Sequence, residues 1–226
     1  MTITYYGHSC FSIKIENTNL LFDPFITPNE KAKHIDINSI KADYILLSHA
    51  HEDHIADAEA IAKKTNATII SNFEIVSWYA EKGLTNAHPM NHGGSKSFNF
   101  GKVKMVNAIH SSAFPDGKNG GNPAGFVIES KEGNFYFAGD TALTMDMKLI
   151  PLTTKIDFAL LPIGDNFTMG IRDASICAEF VETKKVVGLH YDTFGYIIID
   201  KQEAKNTFKN KQIELHLPKI GETIKI

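Results

Sequence analysis

His49, His51, Asp53 and His54 stand within six consecutive positions, in Ser48-His-Ala-His-Glu-Asp-His54, and His110, Asp140 and His190 follow downstream. An extended segment sends alternate side chains to one side, so His49 and His51 can converge on one cation with Asp53 pointing the same general way. An Asp caps a first helical turn well, so a helix beginning at Asp53 would swing His54 out of that row toward a second cation. Imidazole nitrogen and carboxylate oxygen suit Zn(II), Fe(II) or Mn(II), whereas thiolate-rich sets belong to structural zinc and iron–sulfur clusters. The only two cysteines, Cys10 and Cys177, lie outside the cluster. The inventory is that of a two-metal hydrolytic site with coordination positions left open for water. Chance would place a His-x-His-x-Asp-His pattern in roughly one chain in a thousand of this composition.

The downstream residues each close an apolar run. His110 ends the stretch from Val103 to Ile109, and His190 ends Lys185-Val-Val-Gly-Leu189. Asp140 follows Asn134-Phe-Tyr-Phe-Ala-Gly139, whose glycine lets the backbone come close to something. Singly, each has a plain alternative as a loop histidine or a turn cap. Three strand ends that all terminate in His or Asp point to one meeting place, as strand ends provide in open α/β sheets.

The elements that must deliver these residues are legible. Residues 43–47 form a continuous apolar run, a buried strand whose C-terminal end carries the motif loop. Ahead of it, residues 3–6, 10–15 and 19–23 read as an antiparallel meander broken at Gly7-His8 and Asn17-Thr18. The spacing predicts helices over 57–64 and 73–82, the second stopped by Gly83, with a strand at 67–70 between them. Further strands are expected at 102–109, 124–129, 134–138, 158–161 and 185–189. A helix is expected over 172–182, with the apolar stripe Ile176, Cys177, Phe180 and Val181. Lys201, Lys205, Lys209 and Lys211 recur at about four-residue spacing and read as one solvated helix face. Strand-rich and then alternating, twice over, the order predicts an α/β protein, an αββα sandwich of two mixed β-sheets with helices on the outer faces.

With its seven metal-competent positions, the chain resembles the metallo-β-lactamase fold superfamily, whose motif is His-x-His-x-Asp-His followed by His, Asp and His. Tyr6-Gly-His-Ser-Cys-Phe11, Phe22-Asp-Pro-Phe25, Phe137-Ala-Gly-Asp-Thr141, Leu161-Pro-Ile-Gly-Asp-Asn-Phe-Thr-Met-Gly170 and His190-Tyr-Asp-Thr-Phe194 are similar to its UPF0173 metal-dependent hydrolase branch. That branch is itself similar to the L-ascorbate-6-phosphate lactonase group. The resemblance implies one metal held by His49, His51 and His110, a second held by Asp53, His54 and His190, and Asp140 bridging the two. Zinc is the first expectation, with Mn2+ or Fe2+ as alternatives. It further implies a hydroxide bound by the dinuclear metal site that cleaves an ester, lactone, thioester or phosphodiester bond in a small substrate, with Asp53 doing the acid/base work. It also places the Gly7-His8 turn near the metal pocket. His8, Asp23, Asp165 and Asn166 are then candidates to contact substrate or orient a ligand, with turn capping or a purely structural role as the alternative.

Two departures narrow the class. Flavodiiron members carry Glu where this chain has His51, together with a flavodoxin-like module for which there is no room. The long insertions of RNA-processing members are missing too. A non-catalytic metal-binding or ligand-sensing module and a nucleic-acid-processing member of the same fold are the competing functions. The complete ligand set weighs against the first.

At 226 residues, with 43% hydrophobic and 22% charged content, the chain is expected to form a single soluble domain over 1–226 with a sizeable core. Its net charge of -3 gives no electrostatic reason to expect nucleic acid. No stretch approaches the roughly 18 uninterrupted apolar residues of a membrane span. The start shows no basic and apolar signal regions, so the cytoplasm is the expected compartment. A homo-oligomer stays open. The loop Pro115-Asp-Gly-Lys-Asn-Gly-Gly-Asn-Pro123 is either a surface connection or a border of the substrate opening.

Overall fold

A computed structural model describes residues 1–226. The first part of the chain supplies strands β1 (Thr2–Gly7), β2 (Cys10–Ile15), β3 (Thr18–Phe22), β4 (Tyr44–Leu46), β5 (Thr68–Asn72) and β6 (Ala87–Met90). Between them run helices α1 (Glu52–Ile55), α2 (Ala58–Thr65) and α3 (Phe73–Glu81). The second part supplies β7 (Ser95–Phe98), β8 (Gly101–Asn107), β9 (Ala124–Ser130), β10 (Gly133–Phe137), β11 (Phe158–Pro162), β12 (Lys185–Leu189), β13 (Glu214–His216) and β14 (Thr223–Lys225), with α4 (Ile171–Phe180) and α5 (Lys201–Asn210). The strands form two seven-stranded mixed sheets, ordered β14-β1-β2-β3-β4-β5-β6 and β13-β12-β11-β10-β9-β8-β7.

Side-chain alternation explains the layering. On β3, Leu20 and Phe22 enter the core shared by the two sheets while Leu21 faces the helices on the other side. Ile3, Phe11, Ile13 and Leu46 from the first sheet meet Val103, Phe126, Phe135 and Leu160 from the second. Phe11 and Phe22 stack at 4.5 Å, and Phe137 meets both edge-on from the facing sheet. Outside, Ile45 and Ile69 pack on Ile55, Ile61, Ile75 and Tyr79 of α1 to α3. On the far side, Ala159 and Val186 pack with Ala174, Cys177, Ala178 and Phe208 of α4 and α5. This is the expected αββα sandwich, and both cysteines are buried and unpaired within it.

Two local expectations need correction. Asp53 does not cap a helix: α1 starts one residue earlier at Glu52, with His51 in the capping position and no side-chain capping bond. The Asp53 carboxylate instead meets His8, so it is not free to bond the first-turn amides. The stripe of α4 also differs, because Ala174, Ser175, Cys177, Ala178 and Val181 are buried whereas Ile176 and Phe180 are only partly so. Small residues let this helix lie close to its sheet, and Lys148 covers the Phe180 ring at 4.4 Å. The lysine-spaced helix α5 forms as expected, inward through Ala204 and Phe208, with the Asp200 carboxylate accepting from the amides of Gln202 and Glu203.

Candidate metal centre

The motif loop leaves the end of β4 and is pinned by Asp23. Asp23 Oδ1 accepts from the Ser48 amide at 2.8 Å, and Oδ2 accepts from the Ser48 hydroxyl at 2.5 Å. The Ala50 amide donates to Ser112 Oγ at 3.2 Å, which holds the middle of the loop. His49 and His51 thus project together, Nε2 facing Nδ1 at 3.0 Å, and His110 closes a set whose donor atoms all lie within 4.8 Å of one another. The short turn of α1 carries His54 to the other side, as the sequence predicts. There, donor atoms of His8, Asp53, His54 and His190 form a second set within the same 4.8 Å.

Asp140 lies between the sets. Its Oδ2 is 2.9 Å from His190 Nε2, 3.3 Å from His54 Nε2 and 3.7 Å from His110 Nε2. Gly139 makes this placement feasible. Its φ is +62°, and a Cβ there would sit 2.7 Å from the Ala124 carbonyl oxygen and 2.9 Å from Ser48 Cβ. His110 is tied to the same turn, since the Ile109 amide donates to Thr141 Oγ1 at 2.9 Å and the Ala142 amide donates to the Ile109 carbonyl at 3.1 Å. The His190 amide in turn donates to the His8 carbonyl at 2.9 Å. The ends of β1, β4, β8, β10 and β12 therefore meet at one rim of the sandwich.

The outer ring nitrogens of His54 and His49 have partners of their own, whereas His190 Nδ1 is buried without one. His54 Nδ1 donates to Asp23 Oδ2 at 2.8 Å, and His49 Nδ1 lies 2.9 Å from Ser48 Oγ, whose own proton goes to Asp23. Both rings consequently aim Nε2 inward. His54 Nε2 and Asp140 Oδ1 are buried with no hydrogen-bond partner. A bare imidazole nitrogen close to two carboxylates calls for positive charge between them, from a proton or from a metal cation, and the donor set fits a cation. Asp23→Asn would put an amide NH2 against either His54 Nδ1–H or the Ser48 amide. It should weaken cation retention by about 10- to 100-fold in a chelator competition, and unaltered retention would show that Asp23 only holds the loop.

The electrostatics agree with that demand. Burial pushes the His8 imidazole down to about 4, with His190 adding to the effect. Burial likewise lowers His49, His51 and His110. For His54, burial acts in the same direction, but Asp140 and Asp53 outweigh it and hold the ring well above the ordinary histidine value. Burial also raises both Asp53 and Asp140, yet their histidine neighbours outweigh it and hold both carboxyls below the usual carboxylate range.

Of the other candidates, His8 and Asp23 touch this cluster, whereas Asp165 and Asn166 do not belong to either donor set. The latter two occupy a left-handed turn at φ +62° and +58°, where the Asn166 amide donates to Asp165 Oδ1 at 2.8 Å. The 115–123 loop folds back over the motif. Asn72 donates to the Gly120 and Asn122 carbonyls, and a Cβ on Gly120 would lie 2.3 Å from Ala50 Cβ. The sequence does not single out Ser48 and Thr193 as functional residues, yet each partners a histidine of the site. Ser48 directly precedes the motif and Thr193 lies three residues past His190, which is the available signal.

Comparison with known proteins decides the family. A beta-lactamase superfamily domain model matches residues 2–190. The chain belongs to that superfamily. Within it, this superfamily member is 62% identical to a UPF0173 metal-dependent hydrolase of Christiangramia forsetii over the full length of both chains. It is 43% identical to the UPF0173 metal-dependent hydrolase YtkL of Bacillus subtilis, again with full coverage of both. Among solved structures it is similar to Igni18, a metallo hydrolase of Ignicoccus hospitalis, with a TM-score of 0.89 at 32% identity, covering 99% of this chain and 97% of that one. This superfamily member is accordingly a metal-dependent hydrolase of the UPF0173 branch with the metallo-β-lactamase fold. None of its helices is long and apolar enough to cross a membrane.

Proposed function

We propose that the chain hydrolyses an ester, lactone, thioester or phosphodiester bond in a small molecule, with two divalent cations seated in the paired donor sets. The observation that carries this reading is the convergence of seven side chains with Asp140 shared between the two halves. His49, His51 and His110 would hold one cation, Asp53, His54 and His190 the other, and Asp140 both, with Zn2+ favoured over Mn2+ or Fe2+. Bound there, the pair would supply a water of lowered pKa and a Lewis acid for a carbonyl or phosphoryl oxygen.

Access singles out one carboxylate. The Asp53 side chain is 28% exposed, against 0% for Asp23 and 2% for Asp140, so Asp53 is the one that a substrate can reach. It is placed to take up a proton and hand it to the leaving group, and its Oδ2 lies 3.0 Å from His8 Nε2. Two apolar side chains stand on the rim: Ile109 is half exposed beside His110, and Phe194 lies edge-on to His8 at 5.3 Å. Such walls suit a substrate with an apolar body around its scissile bond. Asp53→Ala should lower turnover at least about 100-fold on whichever member of an ester, lactone, thioester and phosphodiester panel is cleaved. Unchanged turnover with full metal content rejects this assignment, and a loaded wild-type chain silent across the panel favours the non-catalytic reading.

A further inference from the structure

His8 is not among the seven motif positions, yet it faces the second donor set as directly as they do. Its Nε2 lies 3.0 Å from Asp53 Oδ2, and its donor atom is within 4.8 Å of those of Asp53, His54 and His190. Its ring lies 4.1 Å from that of His190 and 5.4 Å from that of His54, centroid to centroid. The side chain is wholly buried.

The backbone is arranged to keep it there. His8 sits at φ +56°, a left-handed conformation unfavourable for a non-glycine residue, directly after Gly7 at φ +105°. Its carbonyl is fastened by the His190 amide at 2.9 Å and the Tyr5 hydroxyl at 3.2 Å. Strain of this kind persists where the surrounding structure holds a residue to a task.

The surroundings also let Nε2 serve as a donor atom. Thr193 Oγ1 lies 3.0 Å from His8 Nδ1, so it is placed to accept the Nδ1–H and free Nε2 for a cation. Nε2 faces the Asp53 carboxylate oxygen at 3.0 Å, where only a proton or a cation between the two is favourable. Ser48 arranges His49 in the same way, and a ligating histidine commonly donates its other ring N–H to such a partner.

We propose that His8 Nε2 is a fifth protein donor to the second cation, beside Asp53, His54, His190 and the shared Asp140. This rests on the two-cation reading. Five donors are one more than a structural zinc takes, so the second position leaves at most one place for water or substrate and suits a cation content with five or six ligands. The first position, with three histidines and the shared Asp140, keeps the open side. His51 and His110 border solvent there.

The test uses the full-length wild-type chain loaded with cadmium-113, correlating each cadmium resonance with the imidazole ring protons coupled to it. The expected result is two cadmium resonances, one coupled to His49, His51 and His110, the other to His8, His54 and His190. Two resonances with no coupling to His8 overturn the proposal and leave the two-cation reading intact, while a chain that retains no cadmium overturns both. In addition, His8→Ala should weaken the second cadmium by more than about 100-fold, beyond the range typical of losing an outer partner, and leave the first resonance in place. Thr193→Val, which removes only the outer partner, should stay within that range. Equal losses in the two variants would make His8 a positioning residue for Asp53 and overturn its place as a ligand.

Discussion

A Gly164→Ala chain is expected to unfold at a clearly lower urea concentration than the parent and to lose its hold on the second cation. A Cβ at this position would lie 2.0 Å from the His190 carbonyl oxygen, 3.0 Å from Ile197 Cβ and 3.2 Å from the His190 carbonyl carbon. Two of those atoms are backbone, which no rotamer change can move. They belong to the segment that carries the His190 ring to Asp140, so relief of the clash must displace a residue of the site. Overpacking typically costs about 1–3 kcal/mol, and a fixed backbone obstacle puts this case at or above about 3 kcal/mol. Gly195 is the control: a Cβ there meets nothing within 4 Å, so alanine should change stability by no more than about 0.5 kcal/mol. Matching urea midpoints for Gly164→Ala and the parent would mean that the β11 and β12 ends are far more yielding than their spacing indicates.

Asp140→Asn should abolish measurable hydrolysis while leaving the fold standing. The wild-type Oδ2 is shared by His190, His54 and His110, which draws the two donor sets together through one anionic atom. An amide of the same shape removes the charge and turns donors toward nitrogens that should hold cations. Several kcal/mol of stabilisation of developing charge is at stake, which corresponds to at least about a 1000-fold fall in kcat/KM. Elemental analysis should find fewer than the parent's complement of cations per chain. Parental metal content with parental turnover would show that the two sets work without a shared carboxylate.

Much of this was legible beforehand where a residue's role is local. The opening meander, the β4 run ending at the motif, and the apolar stretches ending near His110, Asp140 and His190 rest on period-two patterning and on turn residues that a single segment carries. The seven proposed donors are legible by residue type, four of them by their spacing in the motif and three by their place after an apolar run. What failed was non-local. β6 and β7 are short and contain Pro89 or polar residues such as Ser95 and Ser97, so nothing in their own composition marks them as strands. β14 becomes a strand only because Thr2 pairs with Lys225 at the opposite end of the chain. The bond from Asp23 to His54 spans 31 residues and that from His8 to Thr193 spans 185, distances over which no periodicity reaches. Asp53 was misplaced for the same reason, since the competitor for its carboxylate lies 45 residues upstream.

The order of the strands has a bearing on self-association. The outermost members, β14 and β6 in one sheet and β13 and β7 in the other, are all brief, at three or four residues. Pro89 denies β6 one amide donor, and β7 turns Ser95, Lys96 and Ser97 to water. Natural proteins blunt unpaired edges with such devices, which deny a neighbouring copy a template for main-chain pairing. Such margins disfavour the continuous ribbon that a long bare one invites, and leave side chains meeting across the faces as the easier route to any assembly of this hydrolase.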